Sequence, residues 1–237
     1  MTADDLGDRA RLISLTVADQ PSAWEAAGFS VSAHPGARGT IHLGDTAIVL
    51  TGGGERSDIG GIQGWTVGGL DAPAGPGLTD GIVTEFEACI PSSSRSGSDE
   101  AVTPHPNGAL GIDHVVIITP DLDRTTAAFV DRGLGVRRIR DTESYGAPMR
   151  QAFLRIGPSV VEVVSGNIDN PDPGKAQGPA QWFGMALDVD DLDLVSDLLG
   201  DGLGAIKPAV QPGRRIATIR HKTYGMTVAV ALMDSRG

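Results

Sequence analysis

One pattern occurs twice, 70 residues apart, and constrains the fold more than any other feature of this chain. Gly111-Ile-Asp-His-Val-Val-Ile-Ile-Thr-Pro-Asp-Leu-Asp123 opens the first copy, and Phe183-Gly-Met-Ala-Leu-Asp-Val-Asp-Asp-Leu-Asp193 opens the second. Each begins as a short apolar run, which reads as a buried strand. Each then reaches Asp-Leu-Asp, at 121–123 and 191–193, where an Asp can cap a helix by accepting hydrogen bonds from its first free N–H groups. Helical spacing follows, with Ala127, Ala128, Phe129 and Val130 in one copy and Val195, Leu198 and Leu199 in the other. A Gly-Leu-Gly, 133–135 or 202–204, then supplies the glycine that a left-handed helix end favours.

Three more strands complete each copy. They are Val136–Thr142, Met149–Ile156 and Ser159–Val164 in the first. In the second they are a weak one near Ala205–Val210, then Arg214–Arg220 and Thr227–Met233. Each copy therefore reads β-α-β-β-β. A shorter version stands in front: a strand Leu12–Ala18, a helix from Pro21 to Gly28, and a hairpin of Gly39–Leu43 with Thr46–Leu50. Strands Ile62–Leu70 and Gly81–Cys89 follow it with no helix between. The run Pro91–Ala109 is rich in Ser, Pro and Gly and reads as a linker. A second polar stretch, Asn167–Pro179, separates the two long copies. The expected organisation is a degenerate unit over 1–90, a flexible linker over 91–110, and a domain of two modules over 111–237, namely 111–166 and 181–235.

Charge narrows the function. The net formal charge of −11 argues against a nucleic-acid partner, because such binding depends on neutralising phosphates. Residues 1–110 hold 5 Arg and no Lys against 14 acids, so the cations that could hold an anionic ligand lie mostly in 111–237. No apolar run approaches the roughly 18 residues of a membrane span, and the opening MTADDLGDRA is too acidic for a secretory leader. The single cysteine, Cys89, excludes an internal disulfide and fits a cytoplasmic protein. The expected partner is a small molecule, with no membrane and no nucleic acid, and a homodimer stays open.

The motifs Ile112-Asp-His-Val-Val-Ile, Pro-Asp-Leu-Asp-Arg124, Arg150-Gln-Ala-Phe-Leu-Arg-Ile-Gly157 and Ser159-Val-Val-Glu-Val-Val164 resemble the vicinal oxygen chelate superfamily. That superfamily includes glyoxalases, bleomycin-resistance proteins and extradiol dioxygenases. The resemblance implies an α+β fold in which paired βαβββ modules form a curled mixed sheet around a cavity. It covers 111–235 as a complete pair and 11–90 as a degraded one. Members that use a divalent metal draw a His from the first strand of a module and a Glu from its last. His114 and Glu162 stand at those positions, and Glu162 could also serve as a catalytic general base. The partner module departs from the pattern: aligning Asp-Leu-Asp places Gly184 opposite His114, and aligning the final strands places Val230 opposite Glu162. A third metal ligand would have to come from elsewhere, with Glu85 and Glu87 the candidates.

Each of these residues also has a plainer reading. His114 could be a buried histidine bonded to backbone. A tight turn at Pro158-Ser159 would set Glu162 opposite Arg155, where the two would form a cross-strand ion pair. Aligning Ala152-Phe-Leu-Arg155 with Ala217-Thr-Ile-Arg220 makes Arg220 the counterpart of Arg155. Both guanidiniums suit a carboxylate or phosphate. Arg214 and Arg215 are expected to edge the cavity or face water. The ligand cavity is thus expected within 111–235, lined by His114, Gln151, Arg155, Glu162 and Arg220. Trp182, Trp65 and Tyr145 could line it as well, though aromatics on strands are more often core. Cys89 has no basic neighbour to activate it, and Thr51-Gly-Gly-Gly-Glu55 lacks the lysine of a phosphate loop. Two functions stay open: a metal-free small-molecule binder, and a metal-dependent lyase, isomerase or dioxygenase using His114 and Glu162.

Overall fold

Each apolar run expected to open a module becomes a strand, and behind it comes a helix or a hairpin. A computed structural model describes residues 9–33, 35–53, 61–70, 75–87, 104–144, 147–166 and 178–235. Among them the first half of the chain forms β1 (Arg11–Val17), α1 (Pro21–Ala26), β2 (Gly39–Leu43), β3 (Thr46–Leu50), β4 (Ile62–Gly68), β5 (Gly75–Thr79) and β6 (Ile82–Glu87). The second half forms β7 (Ala109–Ile118), α2 (Leu122–Val130), β8 (Val136–Ser144), β9 (Ala147–Ile156) and β10 (Ser159–Gly166). It continues with β11 (Gln181–Val189), α3 (Leu192–Leu199), β12 (Lys207–Pro208), β13 (Arg215–Thr218) and β14 (Ala229–Asp234).

The strands join into two sheets, ordered β2-β3-β1-β4-β6-β5 and β12-β13-β14-β11-β7-β10-β9-β8. In all four modules the first strand runs parallel to the last: β1 with β3, β4 with β6, β7 with β10, and β11 with β14. The fold is α+β, with mixed curled sheets and few helices. The two complete modules share one strand order, first-last-third-second, which the sequence repeat encodes.

Both long helices begin where the repeat places them. Asp121 caps α2 by accepting from the Arg124 N–H at 2.9 Å, and Asp191 caps α3 by accepting from the Asp193 N–H at 2.8 Å. Gly133, at φ 93°, turns the chain out of α2 as expected. The end of α3 comes earlier than the Gly-Leu-Gly: it stops at Leu199, with Gly200 at φ 50° and a 3-10 turn over Gly200–Gly202. The strand β5, rich in Gly and Pro, was not expected. It pairs antiparallel with β6 through a two-residue turn at Asp80-Gly81.

By compactness the chain divides into two units. One comprises Met1–Ile13, Gly64–Ser94 and His114–Phe183, and its buried residues include Trp65, Phe129, Leu154, Ile156, Val161 and Val163. Trp65 donates to Thr84 Oγ1 at 2.8 Å and meets the rings of Phe129 and Trp182 edge-on, so it belongs to this core. The other unit comprises Ser14–Gln63, Arg95–Asp113 and Gly184–Gly237, around Trp24, Phe29, Ile48, Leu187, Val195 and Leu232.

Arg214 corrects an expectation. It is 8% exposed, with Nη1 donating to Asp113 at 2.6 Å, Nη2 to Asp188 and Nε to the Asp234 carbonyl at 2.6 Å. This guanidinium does not face water, because the buried Asp113 and the half-buried Asp188 hold it. Arg215 is half-exposed and bonds Asp234 and Asp193. No described helix is long and apolar enough to cross a membrane. His34, Gly54, Cys89, Tyr145 and most of the two polar stretches lie outside the described residues.

Candidate functional site

The strands β7, β10, β9 and β8 are consecutive neighbours, and their alternating burial defines two faces. Asp113, Val115 and Ile117 on β7, Val161 and Val163 on β10, and Ala152 and Leu154 on β9 are all buried. Helix α2 packs on β9 and β10. The opposite face is half-buried, and it carries His114 and Val116, Val160, Glu162 and Val164, with Phe153 and Arg155. Period-two alternation thus sends neighbours to different tasks: Asp113 to the buried Arg214, and His114 to the half-buried face.

The parallel register pairs His114 with Val160 and Val116 with Glu162. His114 and Glu162 are therefore diagonal neighbours on one face. His114 Nε2 lies 3.7 Å from Glu162 Oε2, with the side chains 17% and 15% exposed. On the other side, the antiparallel register pairs Glu162 with Phe153, Val164 with Gln151 and Val160 with Arg155. This corrects the expected facing of Glu162 and Arg155. The two-residue turn sits at Gly157-Pro158, with Gly157 at φ 61°, so Ser159 pairs with Ile156. The shift is two residues, which preserves the face, so Gln151 and Arg155 do share the face of Glu162.

Gln151 is buried and donates its side-chain N–H to Glu162 Oε1. Its carbonyl oxygen accepts from Arg140 Nε at 2.9 Å, and from Arg140 Nη2 as well. Arg140 is the β8 partner of Gln151 and also lies over the Phe153 ring, 6.0 Å from its centroid. His114, Glu162, Gln151 and Arg140 thus form a polar row, one residue from each of four adjacent strands. Sequence reasoning missed Arg140. Only the antiparallel register of β8 with β9 sets Arg140 opposite Gln151.

Arg155 lies on this face and donates Nε to the Gly157 carbonyl at 3.1 Å. Arg220 is not brought into the row. It belongs to the second unit, is exposed, and stands just before the 3-10 turn His221–Tyr224. Its register equivalence to Arg155 holds nonetheless, since Thr218 pairs with Ala231 as Phe153 pairs with Glu162. The same equivalence corrects the counterpart of Glu162 in the second module. Gly184 pairs with Ala229 as His114 pairs with Val160, so Ala231 matches Glu162 and Val230 faces the core.

No protein-family model matches the sequence, and no curated protein sequence matches it. Solved structures do match. A substituted variant of 4-hydroxymandelate synthase from Streptomyces coelicolor is 15% identical, with 96% of this chain and 94% of that one covered at a TM-score of 0.60. An extradiol ring-cleaving dioxygenase from B. fuscum is 14% identical, with 97% and 72% covered at 0.60. A fusion of a xylose isomerase-like TIM barrel with a 4-hydroxyphenylpyruvate dioxygenase is 11% identical, with 96% and 49% covered at 0.62. The chain has the vicinal oxygen chelate fold.

The divalent metal implied by the sequence resemblance is tested by the donor set. A catalytic divalent site needs about three protein ligands and an open position. The first complete module offers His114 and Glu162, and one oxygen of Glu162 is engaged by Gln151. The second module offers Gly184 and Ala231 at the matching positions. Glu85 is exposed on β6. Among the described residues no third His, Cys, Asp or Glu joins the pair. The described residues do not fit a catalytic divalent cation.

Glycines 52 and 53 are also accounted for. Their N–H groups donate to the Asp19 and Ala18 carbonyls, at 3.0 and 2.5 Å, and so are spent within the backbone.

Proposed function

We propose that this protein binds a small oxygenated organic molecule, without a metal, on the half-buried face of β7, β10, β9 and β8. His114 and Glu162 are its polar contacts. The observation that carries the reading is the polar row ending in the His114–Glu162 pair, the two groups 3.7 Å apart and partly open to solvent. Val160 is the apolar floor, flanked across the sheet by His114 on β7 and Arg155 on β9. A ligand hydroxyl or carbonyl would meet His114 and Glu162, and an anionic group would meet Arg155. Arg220 is a separate anionic-anchor candidate, tested by its own substitution.

A metal-dependent lyase, isomerase or dioxygenase is the second reading, favoured by the placement of His114 and Glu162 at the superfamily's ligand positions. Metal analysis of protein purified without a histidine tag separates the two. The binding reading expects less than stoichiometric divalent metal. It also expects a screen of phenols and hydroxy acids by thermal shift to yield binders that weaken about 10-fold or more in Glu162→Gln, the scale of a lost charge-assisted hydrogen bond. A stoichiometric cation that disappears in His114→Ala would overturn it in favour of the enzyme.

A further inference from the structure

We infer that Arg140 is a positioning residue for this site: acting through Gln151, it makes Glu162 present a single free oxygen to the ligand, which selects a hydrogen-bond donor. The inference rests on the binding reading above and names the ligand group it would recognise. A guanidinium only donates hydrogen bonds, and a carboxamide has one accepting end and one donating end. Arg140 donates twice to Gln151 Oε1, which obliges the amide nitrogen to point the other way, toward Glu162. The Gln151 N–H therefore occupies Glu162 Oε1. Oε2 remains, turned toward His114 Nε2 at 3.7 Å, a gap longer than a direct hydrogen bond.

A ligand O–H or N–H placed there donates to Oε2. A carboxylate at the same point would meet the charge of Glu162 directly, so anions are directed away from this end of the site. The row is held in the sheet itself, because Arg140 and Gln151 are register partners and Gln151 is 6% exposed. Without Arg140, the Gln151 amide oxygen loses its two donors, and only the bond to Glu162 is left to hold the amide in this direction.

The test uses nitrogen-15-labelled protein, with the Gln151 side-chain amide assigned by its disappearance in Gln151→Leu. Three probes of similar size are titrated: phenol, which donates; anisole, which cannot; and benzoate, an anion. Phenol is expected to shift the Gln151 amide and His114 signals and to bind at least about 10-fold tighter than anisole, whereas benzoate, drawn to Arg155, is expected to leave the Gln151 amide signal in place. Arg140→Gln should move the Gln151 amide signal toward that of an unbonded glutamine and weaken phenol about 10-fold, with Arg140→Lys recovering part of both. A merely structural role for Arg140 would change the melting temperature and leave the amide signal in place. Equal binding of anisole and phenol, or an unmoved Gln151 signal in Arg140→Gln, overturns the inference. If no probe shifts residues of this face, the binding reading fails, and the Gln151 signal alone still decides whether Arg140 positions the row.

Discussion

His105 and Arg214 show how far a residue's chemistry depends on the groups around it. The sequence places His105 in a linker, beside Pro104 and Pro106, with no partner at ligand spacing. In the structure it is 8% exposed, Nδ1 accepts from the Ser30 N–H at 3.0 Å, and Nε2 reaches the His42 carbonyl at 2.8 Å. One ring nitrogen accepts and the other donates, so the neutral tautomer with hydrogen on Nε2 satisfies both. Replacing it by alanine leaves a backbone donor and a backbone acceptor without their partner. His105→Ala should cost about 1–3 kcal/mol in urea unfolding, and a loss below about 0.5 kcal/mol would show that water replaces the ring at no cost. Arg214 is the sharper case. Removing it takes a guanidinium away from the buried Asp113 and from Asp188, so Arg214→Ala should cost about 3–5 kcal/mol in the same measurement.

At the scale of elements, the repeat made most of the fold legible. The Asp caps, the helix starts and the hairpin Gly39–Leu43 with Thr46–Leu50 stand where spacing puts them, because capping and alternation are local properties. The strand β5 was not legible, since its Gly-Pro-Gly content has no strand periodicity and only pairing with β6 makes it extended. Part of the candidate row was legible too. His114 and Glu162 came from the resemblance, and strand parity put Gln151 and Arg155 on the face of Glu162, because parity survives a two-residue error in the turn. Arg140 required the register of a hairpin rather than the pattern of one strand. The vacancy in the second module likewise has a local cause that no pattern displays. A Cβ on Gly184 would lie 2.3 Å from the Ala229 carbonyl oxygen and 3.0 Å from its Cβ, so β11 and β14 approach too closely for a side chain there. Gly184→His is therefore expected to destabilise the protein by about 2 kcal/mol or more without creating a divalent-metal site. Stoichiometric zinc or manganese uptake by that variant, measured by calorimetry, would contradict this.

For the molecule as a whole, the excess of 30 acidic over 19 basic residues makes the way carboxylates are held decisive for its response to acid. In the second unit Arg214 and Arg215 gather Asp113, Asp188, Asp191, Asp193 and Asp234. This arrangement moves the titration of Asp234. Burial pushes it up, but the Arg215 hydrogen bond, the Leu192 N–H and the Arg215 charge together outweigh burial and hold it below the ordinary carboxylate value. A carboxyl with a depressed folded-state pKa stabilises the fold above its unfolded value, about 4, and that contribution is lost as pH falls through the lower folded value. Arg215 stays charged throughout, since its hydrogen bonds to Asp234 and Asp193 raise an already high value. Its guanidinium is 40% exposed, so solvent screening keeps the effect modest. The unfolding free energy should therefore decline below about pH 4, and Arg215→Ala should make that decline shallower while lowering stability at neutral pH. Acid titrations of both proteins, followed by urea unfolding at each pH, measure the difference. Parallel acid limbs in the two proteins would mean that Arg215 does not set the ionisation of Asp234.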